Sequence, residues 1–188
     1  MSIRRGKRVK RFEQMAVPHL PALYRVARQM AGEHTAEDLV QETYLRAWKY
    51  FDTFDSATNC RIWLFRILRN VWIDQWRRPR LEIPVAETDG GVVEPYYDWE
   101  DNFLQTELSP HMERALSELP EEYRWAVLLA DVEEFSYQEI AEALSCPIGT
   151  VMSRINRGRR MLARLLRTYA KEQPGEKEKV PKTLGETE

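Results

Sequence analysis

The sequence predicts an all-α protein of two small helical domains joined by an acidic flexible linker, the second domain containing a helix-turn-helix. Three observations carry that expectation. Apolar residues recur at helical spacing over almost every segment, and no stretch alternates apolar with polar residues as a half-buried strand would. Pro79, Pro84, Gly90, Gly91 and Pro95 interrupt this periodicity over 79–107. The charges also fall into blocks. Residues 1–12 carry six Lys or Arg and no acid, 61–80 carry six Arg against Asp74, 81–107 carry eight Asp or Glu and no base, and 150–171 carry seven Lys or Arg and no acid.

The elements follow in order. Helices are expected over 11–31, 34–51 and 60–78, then over 109–118, 120–131, 136–144 and 148–170. Thr35 with Asp38, and Ser136 with Glu139, have the spacing of capping boxes, in which side chains satisfy amides left unpaired at a helix start. The resulting organisation is a basic tail over 1–10, a first domain over 11–78, an acidic linker over 79–108, a second domain over 109–170 and a disordered tail over 171–188. That tail is short, charged and bears Pro and Gly.

Composition excludes several classes. With 43% hydrophobic residues in 188, the chain can bury real cores, so it is not a disordered protein. A formal net charge of −2 argues against a uniformly basic nucleic-acid coat, whereas the separated basic blocks suit contact with a polyanion at two places. Solvated faces would give the same blocks. Cys60 and Cys146 are the only cysteines and no Cys/His cluster accompanies them, so neither a disulfide framework nor a metal site is expected, and no cofactor. The basic start lacks the apolar run of a signal peptide, and nowhere do about 18 apolar residues follow one another, so a cytoplasmic protein without membrane insertion is expected.

Chemistry is concentrated in three stretches. In "FSYQEIAEALSCPIGTVMSRINRGRRML", Val151, Ile155, Leu162 and Leu165 share one helical face, with Gly158 among them where helices could cross closely. Ser153, Asn156, Arg157, Arg160 and Arg164 point the other way. A first helix with Ile140, Ala141 and Leu144, a break at "SCPIG" and this second helix make a helix-turn-helix pattern, whose second helix would enter a DNA major groove. An ordinary helical hairpin with a solvated basic face is the alternative. In "AEDLVQETYLRAWKYFDTF", Ala36, Val40, Tyr44 and Ala47 form a core face opposite Asp38, Gln41, Glu42, Leu45 and Lys49. That second face suits a partner bringing arginines and a small apolar contact, although a solvated face with one stray leucine fits the pattern as well. In "TNCRIWLFRILRNVWIDQWRR", apolar residues including Trp63 and Trp72 read as core. A narrow stripe of Arg66, Arg69, Asn70, Ile73, Trp76 and Arg77 remains, of a kind that can hold phosphates and stack exposed bases, with Trp76 the aromatic candidate.

Together these three stretches resemble an extracytoplasmic-function sigma factor, a minimal two-domain member of the sigma-70 family. The resemblance spans about residues 11–78 and 109–167. It implies a first domain that binds the clamp helices of RNA polymerase core enzyme and melts the −10 promoter element, and a second that reads the −35 element as duplex. It further implies core-enzyme binding by Asp38, Gln41 and Glu42 with Leu45 as apolar support. A flipped −10 base would be captured by the loop Asp55 to Cys60, chiefly Asn59, with Arg66, Arg69, Asn70 and Arg77 on the adjoining backbone. Met152, Ser153, Asn156 and Arg157 correspond to base-facing positions, Tyr137 and Arg159 to backbone contacts, with Arg160 directed toward phosphates. The acidic linker would thread the channel that later receives RNA. An anti-sigma factor is the implied regulator, and "TNCRIWLFRILRN" resembles members controlled by zinc-containing, thiol-sensitive partners. No region resembling the N-terminal autoinhibitory part or third domain of housekeeping sigma factors is found.

Two other classes compete. A helix-turn-helix regulator acting without being a polymerase subunit would need a ligand or phosphoacceptor domain, and the first domain has the signature of neither. A nuclease could gather Mg²⁺ at Glu94, Asp98, Glu100 and Asp101, but metal sites need carboxylates converging from rigid elements, and these lie in the Pro/Gly-bearing linker. No catalytic residue is therefore assigned and the chain is not expected to be an enzyme.

Overall fold

The computed structural model describes residues 2–55, 58–74 and 109–172, all helix and short connections with no strand among them. Four helices form the first half: α1 (Ser2–Ala16), α2 (Leu20–Ala31), α3 (Glu33–Tyr50) and α4 (Cys60–Trp72). The second half has α5 (Pro110–Ser117), α6 (Glu121–Val127), a π-helical turn over Leu128–Val132, α7 (Tyr137–Leu144) and α8 (Ile148–Glu172). The all-α expectation holds, and both halves match their periodic patterns. The expected linker over 79–108 lies outside the described residues, and Ser109, directly after it, caps the amide of Met112 with its hydroxyl at the start of α5.

Two differences at the start of the chain have local causes. The basic segment 1–10, expected as a tail, is helical from Ser2, because α1 also carries Phe12 and Met15 on an apolar face. Phe12 meets Tyr44, Trp48 and Phe51 edge-on, with ring centroids 6.2, 5.2 and 5.0 Å away. Arg8 stacks over Trp48 at 4.1 Å and pairs with Asp52 at 3.0 Å, so one of the basic residues is structural. The single helix expected over 11–31 is divided at Ala16 by the 3₁₀ turn Val17–His19, where Pro18 and then Pro21 withhold the amides an uninterrupted helix needs. Farther on, Gly32 with φ +87° ends α2 and begins α3, so Thr35 sits inside the first turn and its hydroxyl donates to the Ala31 carbonyl instead of capping. The Ser136–Glu139 capping box forms as expected.

In the first half, Leu23, Val26, Ala27, Leu39, Leu64, Phe65 and Leu68 are buried between α2, α3 and α4. In the second, Val127, Leu128, Ile140, Leu144, Val151 and Ile155 hold α6, α7 and α8 together. Ser145, at φ +48°, turns the chain between α7 and α8, completing the helix-turn-helix. Gly158 is where α8 crosses α6, since a Cβ there would stand 2.6 Å from Val127 Cγ2 and 3.3 Å from Tyr123 Cβ. Gly158→Val should overpack this crossing and cost about 1 to 3 kcal/mol, read as a lowered thermal midpoint. An unchanged midpoint would mean the crossing yields without cost.

The halves also pack on each other. Helix α4 lies against α7, and α2 against α5 and α6. Phe65 meets Phe135 edge-on at 5.2 Å and Trp72 meets Trp125 at 6.0 Å, each pair joining one half to the other. Aromatic pairs of this geometry contribute about 0.5 to 1.5 kcal/mol beyond the area they bury.

Candidate nucleic-acid interface

Helix α3 separates two faces. Ala36, Leu39, Val40, Thr43 and Ala47 are buried, while Asp38, Gln41 and Leu45 are exposed on the other side, Leu45 at 59%. Glu42 is only partly exposed. Its carboxylate accepts from Arg46 Nε at 2.8 Å, and Arg46 also reaches Asp74 at 2.9 Å. The Glu42 hydrogen bond, then that of Asp74, holds the guanidinium still farther from deprotonation.

Beyond α3, the loop leading into α4 positions Asn59. Its side-chain oxygen accepts the Arg61 amide at 2.9 Å and so caps α4, while its Nδ2 lies 3.4 Å from Glu139 Oε1 of α7. Ser136 donates to Glu139 through both amide and hydroxyl at 2.8 Å, and the backbone hydrogen bond foremost holds this carboxyl below the usual range. One turn on, Arg66 Nε donates to the Glu142 carbonyl at 3.1 Å. Asn70 is exposed, and Arg69 and Ile73 are half-buried. Trp76 and Arg77 fall outside the described residues. Trp63 packs on Phe54 with centroids 4.7 Å apart, and Trp72 is buried, as a core reading of both requires. Cys60 is buried at the base of this helix, and burial pushes its thiol up to about 11, away from reactive thiolate chemistry.

The second half presents α8. Val151 and Ile155 are buried behind it, Leu162 and Leu165 half-buried, and Met152, Ser153, Asn156, Arg157 and Arg160 face out. Ser153 donates its hydroxyl to the Thr150 carbonyl at 2.9 Å, leaving its oxygen free to accept. Tyr137, 37% exposed, opens α7. Arg159 is exposed but engaged: its Nε lies 3.0 Å from Asp131 Oδ2, and a second guanidinium nitrogen meets Oδ1. A pair this open to water contributes about 0 to 1 kcal/mol, so a phosphate could replace the carboxylate.

Sequence reasoning missed the centre of the contact between halves. Glu133 is fully buried, its Oε1 and Oε2 each 3.1 Å from Arg25 of α2 and its Oε2 2.7 Å from Arg61 of α4. Arg61 also donates to the Glu133 carbonyl at 2.9 Å and lies over the Phe135 ring at 4.4 Å. Nothing in "DVEEF" distinguishes Glu133 from its exposed neighbour Glu134. Among the described residues no group of three His, Cys, Asp or Glu could hold a metal, and no helix is long and apolar enough to cross a membrane.

Comparison with known proteins agrees with this arrangement. Residues 15–81 match the family model Sigma-70 region 2 and residues 112–162 match Sigma-70, region 4. The chain is 34% identical over 179 residues to the ECF RNA polymerase sigma factor SigW of Bacillus subtilis (strain 168), covering 87% of this chain and 96% of that one. It is likewise 34% identical over 167 residues to the ECF RNA polymerase sigma factor EcfG of Rhodopseudomonas palustris (strain TIE-1), covering 88% and 91%. Among solved structures it resembles the sigma factor RpoE from Bartonella quintana, in complex with the anti-sigma factor NepR, with a TM-score of 0.68, 33% identity and coverage of 84% and 98%. It also resembles the structure of CnrH in complex with the cytosolic domain of CnrY, with a TM-score of 0.60, 28% identity and coverage of 84% and 88%.

Proposed function

Because this chain belongs to the extracytoplasmic-function sigma factors of the sigma-70 family, we propose that its two halves divide the work of promoter recognition between named surfaces. The protein binds RNA polymerase core enzyme and directs it to −10 and −35 promoter elements to start transcription. It supplies placement and strand opening, and the polymerase supplies the chemical step. The exposed face Asp38, Gln41 and Leu45, with Glu42 at its edge, engages the clamp helices of the core enzyme. Asn59 reads an extruded −10 base, Arg66, Arg69, Asn70 and Arg77 hold the adjoining strand, and Trp76 stacks on a base. Met152, Ser153, Asn156 and Arg157 meet −35 base edges, while Tyr137, Arg159 and Arg160 hold phosphates.

One observation supports this most strongly. Helix α8 has a buried apolar back and an outward face of serine, asparagine and arginines, without an acid between residues 150 and 171. Such a face matches the donor and acceptor pattern of a major groove between two rows of phosphates. The acidic segment 79–108 is proposed to occupy the RNA exit path. An anti-sigma factor is the proposed regulator, by analogy with RpoE bound to NepR and CnrH bound to CnrY. A stress-response regulon and a cytoplasmic location complete the proposal.

The direct test is run-off transcription. Purified protein added to core enzyme should yield discrete transcripts from a subset of genomic promoter fragments, and core enzyme alone should not. A chain that binds those fragments by itself yet gives no transcript with core enzyme would instead be a helix-turn-helix regulator.

A further inference from the structure

Arg25 and Arg61 stand on different helices of the first half and aim their guanidinium groups at one point. Two arginines do not converge on empty space, because their mutual repulsion must be offset by an anion. Here the anion is the carboxylate of Glu133, contributed by the other half of the chain and sealed from water. Arg61 lies two residues beyond Asn59 in the first turn of α4. The fork therefore opens beside the loop to which base capture is assigned above. Arg66 and Asn59, both assigned to the −10 strand, are held in the same contact by the Glu142 carbonyl and Glu139. Three acceptors of the helix-turn-helix half, two of them carboxylates, thus occupy donors that a DNA strand would need.

We infer that Arg25 and Arg61 form a binding site for a backbone phosphate of single-stranded promoter DNA, and that Glu133 occupies this site as an intramolecular phosphate mimic. The chemistry is the same for both occupants, since a guanidinium fork donates to two oxygens of a carboxylate or of a phosphate in one geometry. The occupants exclude each other: the strand can enter only when the second half has left α4. Recognition of the −10 strand is consequently coupled to separation of the halves, and only the separated fraction binds DNA. This inference rests on the sigma-factor reading and adds to it two residues, Arg25 and Arg61, that the family resemblance did not supply.

The test compares full-length variants. The probe is a short fluorescent single strand carrying the −10 non-template sequence of a promoter that the wild-type holoenzyme transcribes. Separation of the halves is followed by energy transfer between dyes on α1 and α8. Glu133→Gln leaves two partly buried arginines without a charged partner, so the halves should separate and the probe should bind about tenfold or more tightly than to wild type. The triple variant Glu133→Gln, Arg25→Ala, Arg61→Ala removes the unpaired charges as well, so its affinity is compared at equal separation measured by energy transfer, where it should lose most of that gain, with a log-log salt slope shallower by about 0.7 for the missing phosphate. If the triple variant binds as well as Glu133→Gln, separation alone explains the gain and the phosphate site is wrong. If Glu133→Gln separates without gaining affinity, or never separates, the mimic is wrong.

A second pair of variants needs no change at Glu133. In holoenzyme, Arg25→Ala and Arg61→Ala should each shorten the lifetime of open complexes several-fold on every promoter while −35 preference stays fixed. Unchanged lifetimes would overturn the site independently of protein folding. Failure of the sigma reading looks different, because wild-type holoenzyme would then give no promoter-specific transcript at all.

Discussion

Reversing Asp38 and Glu42 to Lys is expected to abolish binding to RNA polymerase core enzyme while the fold survives. Losing complementary charge at a buried contact costs about 2 to 5 kcal/mol, which is roughly a 30-fold to several thousand-fold loss of affinity, and placing Lys against a basic partner adds repulsion. The structure makes the fold part of the expectation specific. Asp38 is exposed with no packing role, and although Glu42 holds Arg46 at 2.8 Å, Arg46 keeps Asp74 at 2.9 Å. The two acids should also differ. On the proposed interface Asp38 would meet the partner directly, whereas Glu42 must be shared with or released by Arg46, so the single change at Asp38 should weaken binding more. Equilibrium binding to core enzyme, beside circular dichroism of the free variant, measures both parts. Undiminished affinity in the double variant would remove this face of α3 from the polymerase interface.

The second large effect concerns which arginines of α8 read sequence. Arg157→Ala is expected to cost about 1 to 3 kcal/mol at the preferred promoter and to relax preference at one −35 position, the loss of a bidentate contact to guanine. Arg160→Ala should weaken all promoters alike and reduce salt dependence, as loss of a phosphate contact does. Both side chains are exposed, about one helical turn apart on α8, and neither has a structural duty that would confuse the result. Arg159 is the instructive contrast. It already pairs with Asp131, so binding a phosphate requires exchange of one anion for another, and Arg159→Ala should cost less than Arg160→Ala. Holoenzyme assayed on a randomised −35 library at two salt concentrations separates these cases. A uniform loss across the library for Arg157→Ala would make that arginine a backbone anchor and relocate the reading face.

Periodicity determined a great deal about this protein. The core faces of α3 and α8, the helix-turn-helix break at Ser145 and the Ser136–Glu139 cap depend on residues within two turns of each other, and such local preferences act before any distant contact exists. The same locality made Asp38, Gln41, Leu45, Asn156 and Arg157 legible as outward-facing groups. Small departures were local too: Pro18 and Pro21 divided one expected helix, and Phe12 drew the basic start into another.

What the sequence could not convey is which outward faces stay outward. Trp72 reads as core from its helical position alone, yet the ring edge it meets belongs to Trp125, across the boundary between halves. Glu133 and Glu134 are adjacent and chemically equal, but one is sealed between Arg25 and Arg61 while the other is exposed. Asn59 and Arg66 read as free donors for DNA and are found facing Glu139 and the Glu142 carbonyl. Each of these outcomes joins residues more than 50 positions apart in the chain. Burial of a charge is decided by whether two converging donors wait at the far side, and only the packing of α4 against α7 brings them there.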